Sequence, residues 1–287
     1  MRITISLVGV VIFIFFLAAI PFSLTISNGD LALSIQSIYD LIQQYIGGLF
    51  NGESFTYQEG KDRILNIFTD LPSYFFTSFT YLLIAGFLSV CIGMLVSAWH
   101  SKSKKEWLKD IIGFFGTIPD FIFVLFLQLS VVFVYQTTGL KIAKIASRST
   151  DENALLLPLI TLTIVPTIYL IRTLSEKTYD VLTEDYILTA KAKGLRKGYV
   201  FIHHVVRNVL PFLKADIHKV LAIMMSNLFI VEYLFNIRGI TANLFDGTLY
   251  QYNLVVNTLF SLLLLYLLLY WCIRLLIFIL ERVFAHD

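Results

Sequence analysis

The stretch Tyr186-Ile-Leu-Thr-Ala190-Lys191-Ala192-Lys193-Gly194, a basic spacer, then His204-Val-Val-Arg207-Asn208-Val-Leu210-Pro211 decides how the rest of the chain is read. Apolar segments flank it on both sides, yet it carries Lys191, Lys193, Arg196, Lys197 and Arg207. A Lys or Arg at the centre of a spanning helix costs roughly 2.5–3.5 kcal/mol on insertion scales. Together these cations exclude the stretch from a bilayer interior, so it is a solvent-side segment held between membrane spans. Its local chemistry predicts two short helices with a break between them. Residues 178–193 are good helix formers, and Gly194 stands where a helix C-terminus takes a left-handed residue. Residues 199–209 form the second helix, which Pro211 ends or kinks. Ala190 and Ala192 beside Gly194 leave little bulk, so another protein's backbone can approach closely.

Composition sets the class. Of 287 residues, 57% are hydrophobic, against roughly 45–50% apolar in soluble domains, and the mean hydropathy is +0.77. This is a polytopic membrane protein. The net charge of +2 reflects charges distributed by topology and does not imply nucleic-acid binding. Cys91 and Cys272 each lie inside an apolar run, which predicts small buried hydrophobes and no disulfide framework.

Outward from the loop, apolar runs recur at 3–26, 74–98, 111–136, 155–171, 219–236 and 254–280, each near the roughly 20 residues that a span needs. The first follows Arg2. Ala18-Ala19 before Pro21 resembles a signal-peptide cleavage site, but the long run favours a retained anchor. Over 30–50, Ile35, Ile38, Ile42, Ile46 and Leu49 recur at helical spacing opposite Gln36, Asp40 and Gln44, predicting an amphipathic helix that Gly47-Gly48 and Asn51-Gly52 break. It either packs on the outer ends of the spans or docks a binding protein. Residues 53–70 are polar and read as an outer loop. Lys102, Lys104, Lys105 and Lys109 in 99–110, and the cations of 172–218, place both connections in the cytoplasm, and an even span count places both termini there too. Residues 138–153 are then outside, although Lys141, Lys144 and Arg148 face only Asp151 and Glu152 in that count.

The order of residues in the loop resembles the cytoplasmic "EAA" loop of permease subunits in bacterial ABC importers, in the dipeptide/oligopeptide/nickel branch. Tyr186, Ala190, Lys191, Ala192, Lys193, Gly194, His204, Arg207, Leu210 and Pro211 fall into register with that pattern. The interval from Gly194 to Pro211 is the longer one of that branch. Thr117-Ile118-Pro119-Asp120-Phe121, Leu157-Pro158 with Leu162, and Val231-Glu232 with Phe235 and Gly239 resemble further family motifs, so the likeness covers roughly residue 72 to the C-terminus. The chain departs from the family at Ser27-Asn28-Gly29-Asp30, where Pro-Gly-Asp-Pro is expected. It departs again at Glu281-Arg282-Val283, where Asp-Pro-Arg is expected. These losses mark a divergent member.

The resemblance implies an all-α membrane protein of about six transmembrane helices with a cytoplasmic coupling-helix loop. Its parts are an anchor at 1–26, an extracytoplasmic segment at 27–73 and a permease domain at 74–283 with the loop at 172–218. It implies a place in the bacterial cytoplasmic membrane and import of a small solute, short peptides by family default. Its partners are separate ABC ATPase subunits, a second permease forming a heterodimer, and an extracytoplasmic substrate-binding protein. A helix around 184–194 would sit in a groove of the ATPase, with Tyr186 as aromatic anchor, Ala190 and Gly194 allowing close approach, and Lys191, Lys193 and Arg196 pairing with acids. Ala192, His204, Arg207 and Pro211 belong to the same loop.

Catalytic chemistry is not visible. There is no phosphate-cradling Gly-x-x-x-x-Gly-Lys-(Ser/Thr) loop, no catalytic set, no metal site and no implied cofactor. Gln128, Asn227 and Glu232 are polar residues of the spans that could line a translocation path, set against helix-packing hydrogen bonds for Gln128 and Asn227 and a structural pair or outer-gate packing for Glu232, with Arg238 close in sequence. Two competing readings stay open: a secondary transporter, which would show mid-membrane acids and inverted repeats, and a non-transporting anchor or regulator derived from a permease.

Overall fold

The computed structural model describes residues 2–27, 30–59, 63–102, 106–147, 154–245 and 251–285. Asn28 and Gly29 of the altered motif, Lys104 and Lys105, and Arg148, Asp151 and Glu152 lie outside these. The chain divides into two compact units, Met1–Ser78 with Arg238–Leu265, and Phe79–Ile237 with Tyr266–Asp287.

In the first unit, helix α1 (Arg2–Ser23) leads into an antiparallel ribbon of β1 (Leu24–Ser27) and β2 (Asp30–Leu33). Helix α2 (Ile35–Asn51) follows. Its start is fixed by Ser34, whose hydroxyl accepts from the Ser37 amide at 3.3 Å, the usual N-cap bond. Of the two expected breaks, the one at Gly47-Gly48 does not occur and the one at Asn51-Gly52 does. The helix runs on to Gly52, which ends it at φ +86°, because only there does the chain need a left-handed residue. Ile38 and Tyr45 are buried with Ala18 and Ala19 of α1 and with Tyr252, Val255 and Val256, so α2 packs on the span ends. The Tyr45 hydroxyl donates to Asn257 Oδ1 at 3.2 Å, and burial first of all raises its pKa above the usual phenol range. The polar stretch 53–70 is not a plain loop. It folds as an antiparallel hairpin, β3 (Thr56–Glu59) with β4 (Arg63–Asn66), before the next helix begins at Ile67.

The remaining helices are α3 (Ile67–Lys102), α4 (Glu106–Phe115), α5 (Asp120–Thr138), α6 (Leu156–Leu182), α7 (Asp185–Ala192), the single turn α8 (Lys197–Tyr199), a π-helical stretch Val200–Val206, α9 (Arg207–Leu234), α10 (Ala242–Phe245) and α11 (Tyr252–Ala285). Among the described residues, five helices are long and apolar enough to cross a membrane, at Ile67–Ser97, Asp120–Thr138, Leu156–Leu182, His203–Leu234 and Tyr252–Val283, with a shorter apolar one at Val8–Ser23. Apart from two short ribbons the described chain is helical, as expected. The apolar run 111–136 is broken after Gly116, and Pro119 opens α5 because it has no amide for the preceding turn to use. Gly139 at φ +72° closes α5.

In the second unit, α6 and α9 form the most extensive helix pair, with Leu162, Leu170, Leu174, Leu213, Ile217, Leu221 and Met224 all buried. Helix α3 is held against α6 by polar and close contacts. The Tyr81 hydroxyl donates to the Ala154 carbonyl at 2.6 Å, and the Ser89 hydroxyl to the Thr163 carbonyl at 3.1 Å. A Cβ on Gly93 would come within 2.8 Å of Leu170 Cβ, so only glycine lets the helices come this near. The buried hydroxyls of Thr161, Thr163 and Thr178 return to carbonyls four residues earlier, which satisfies them without water. Both cysteines are free, and Cys91 is exposed, not buried as expected.

Candidate functional site

The connection between α6 and the next spanning helix is shorter than the 172–218 segment expected. Residues 172–182 extend α6, and residues 207–218 are already α9. The turn lies earlier than the helix propensity of 178–193 suggested. The Thr183 hydroxyl donates to the Asp180 carbonyl at 2.7 Å, and Glu184 turns to extended backbone. That break frees α7 as a separate helix of 8 residues. Asp185 in its first turn and Lys191 in its last both suit the helix dipole.

The end of α7 is a Schellman motif. The Leu195 amide donates to the Ala190 carbonyl at 3.3 Å, and the Gly194 amide to the Lys191 carbonyl at 3.0 Å. This arrangement needs a left-handed residue at Gly194, and Gly194 has φ +77°. Pro211 does not end the following helix. It lies inside α9, one turn after the π-helical Val200–Val206, so a wider turn precedes the ring that cannot donate to Arg207.

Helix α7 is rooted by Ile187 and Ala190, 0% and 6% exposed, and it packs on Val200–Val206, where Val200 and Val205 are buried too. Ala190 therefore uses its small size inside this chain. The small residues open to another molecule are Ala192, on the opposite face, and Gly194, with nothing within 4 Å of a Cβ built on it. Tyr186, Leu188, Leu195 and Tyr199 are exposed, and so are Lys191, Lys193 and Arg196. Sequence reasoning passed over the two leucines and Tyr199. Their signal was apolar residues in a segment otherwise too basic to be buried, which marks a contact surface.

Beside α7, Tyr186, His203, His204, Arg207 and Asn208 line an open recess of about 420 Å³. The Asn208 amide donates to the His204 carbonyl at 2.6 Å, and the His203 ring lies on Tyr199 with centroids 4.2 Å apart. Partial burial, then the charge of Glu184, raises the Tyr186 pKa, so its hydroxyl stays a neutral donor. Among the described residues no three His, Cys, Asp or Glu side chains come together as a metal site would require.

The polar residues of the spans are not gathered with the loop. Gln128 of α5 donates its amide to the carbonyls of Leu234, at 3.1 Å, and Ile145, at 3.3 Å, which ties α5 to the end of α9. Glu232 is buried, 3% exposed. Asn227 is buried as well, and its side-chain amide lies beside the Asp120 carboxylate at the start of α5.

Residues 89–286 match the family described as binding-protein-dependent transport system inner membrane component. Over 164 residues the chain is 26% identical to the dipeptide transport system permease protein DppB of Lactococcus lactis subsp. cremoris, covering 56% of this chain and 52% of that protein. Over 99 residues it is 37% identical to DppB of Haemophilus influenzae, covering 33% and 30%. It is 24% identical over 147 residues to the metal-staphylopine import system permease protein CntB of Staphylococcus aureus, covering 51% and 45%. The chain thus spans about half the length, or less, of these curated relatives. A chain of the MetNI methionine ABC transporter, solved in inward-facing conformations, superposes with a TM-score of 0.51 at 12% identity, over 77% of this chain and 98% of that one. At that identity the likeness is one of fold.

Proposed function

The chain belongs to the family of binding-protein-dependent transport system inner membrane components, and from that premise we propose that it is a permease subunit of an ABC import system, with α7 as its contact to a separate ATPase subunit. The observation that carries this reading is α7 itself. A helix of 8 residues, detached from α6, rooted by Ile187 and Ala190 and closed by a left-handed glycine, is a rigid knob with an apolar and basic outer face. ATP-driven motion of a partner can reach the spans through such a knob, because its root packs on the stretch that runs directly into α9. Tyr186, Leu188 and Leu195 supply apolar contact, Ala192 and Gly194 let a partner's backbone come close, and Lys191, Lys193, Arg196 and Arg207 favour an acidic groove.

On this reading the loop and both termini face the cytoplasm of a bacterial cell, and an extracytoplasmic binding protein delivers substrate. A second, related permease completes the path as a heterodimer. The relatives named for dipeptide transport support short peptides as substrate, and the relative named for metal-staphylopine import supports a metallophore complex as the next choice. Asn227, whose buried amide lies beside the Asp120 carboxylate, and the buried Glu232 are the candidates to line the path, whereas Gln128 already spends its amide on backbone carbonyls. The altered motifs at 27–30 and 281–283 support a second reading, a non-transporting regulator.

Purification of the tagged chain from its native membranes in mild detergent, with mass spectrometry of what accompanies it, tests the proposal. An ATPase subunit and a second permease are the expected companions. A chain that emerges with neither overturns the importer reading in favour of the regulator.

A further inference from the structure

Helix α2 has three faces, and only two are accounted for. Ile38 and Tyr45 are buried in the first unit. Gln36, Asp40 and Gln44 are exposed on the far side, where the Gln36 amide donates to Asp40 Oδ1 at 3.0 Å. Between them runs a stripe of Ile35, Tyr39, Ile42, Ile46 and Phe50, at spacings of three and four residues that keep it on one face. Phe50 is 92% and Ile35 79% exposed. The stripe borders a groove of about 540 Å³ whose other wall includes Phe16 of α1.

We propose that this groove holds an acyl chain of a membrane phospholipid, with α2 lying in the interface of one leaflet. Two observations select lipid over water, and a third selects the acyl chain over the headgroup. The groove continues an apolar flank of α1 on which Phe13 and Phe16 are exposed, and α1 is one of the apolar helices of this membrane protein. Phe16 stands seven residues before Ser23, where α1 ends. At the helical rise that is about 10 Å from the helix end, the depth to which an interfacial helix sinks its apolar face. Helix α2 contains no Lys or Arg, so the chemistry recognised is the acyl chain and not an anionic headgroup. The inference rests on the chain's spanning a membrane and is independent of any coupling to an ATPase.

The full chain, with Cys91→Ser and Cys272→Ser, would carry a bimane label at Ile46→Cys, Tyr39→Cys or Gln44→Cys in phosphatidylcholine vesicles. A label at Phe126→Cys, on the exposed side of α5, calibrates full lipid contact. Labels at positions 46 and 39 should be quenched several-fold more by phosphatidylcholine brominated on its acyl chains than by aqueous iodide, and the label at 44 the reverse. Replacing part of the lipid with phosphatidylglycerol should leave these ratios unchanged. Iodide quenching at 46 and 39 equal to that at 44 would overturn the proposal in favour of a water-facing groove. Quenching by neither agent would show that protein covers it, and quenching that requires phosphatidylglycerol would show headgroup recognition; either also overturns it.

Discussion

Gly194 separates two reasons for a glycine at the end of a coupling helix, and a short substitution series tells them apart. Its backbone sits at φ +77°, and a Cβ built there meets nothing within 4 Å, so among the described residues no contact opposes a side chain. The cost of a substitution is therefore conformational. A left-handed L-residue costs roughly 1–2 kcal/mol, and Asn pays less because its side chain can bond locally. That energy changes the local equilibrium by a factor of roughly 5–30, enough to fray the last turn of α7 in Gly194→Ala and Gly194→Val, with Gly194→Asn least affected. If instead a partner's backbone presses on this position, size decides and Ala becomes the best tolerated of the three. The assay is ATP hydrolysis and solute uptake by the whole assembly in proteoliposomes, with thermal unfolding of the chain alone as control. Backbone strain predicts coupling in the order Gly, Asn, Ala, Val, with little change in Tm. The order Gly, Ala, Asn, Val would refute the strain argument and show steric contact, and full coupling in all three would remove the end of α7 from the mechanism.

Gly93→Ala should lower stability by about 1–3 kcal/mol through overpacking against Leu170. Gly113→Ala, with nothing near its Cβ, should be neutral or gain up to about 1 kcal/mol; thermal unfolding in detergent compares the two. Tyr186→Ala, at a side chain 43% exposed, should change stability by no more than about 0.5 kcal/mol yet reduce co-purification of an ATPase, which a pull-down reads. The Tyr57 hydroxyl donates to Asp70 at 2.9 Å, and its pKa is raised by burial first and then by that bond and charge. A raised phenol contributes stability that is present below the unfolded value near 10 and lost as pH climbs past it. Tyr57→Phe should therefore lower stability near neutrality by about 1 kcal/mol, through the lost bond to Asp70, and flatten the alkaline limb of the stability–pH curve above pH ~10.

Much of the fold was legible because the bilayer imposes long-range order on local composition. Runs of apolar residues must span, and cations must stay out, so the number of spanning helices and the solvent-side loop follow from counting. Gly194 could be assigned a left-handed conformation for a similarly local reason, since a basic helical stretch ending on glycine has few other ways to stop. Element ends resisted the same treatment. The sequence pattern offered both Gly47-Gly48 and Asn51-Gly52 as breaks, and a helix held by Ile38 and Tyr45 passes the first and stops only at the second. It also offered 178–193 as one helix, but a side-chain bond at Thr183 competes with the helical ladder and divides it.

The sequence by itself determined that this is a multi-pass membrane protein with a basic, small-residue loop between spans, because hydropathy and charge act position by position. Only the tertiary structure decided which face each loop residue shows. Ala190, which looks in sequence like a docking surface, is buried against the chain's own π-helical segment, while Ala192, Gly194, Leu188 and Leu195 are left open. The register of α7 on Val200–Val206 sets that choice, and register depends on packing between segments that no local pattern encodes.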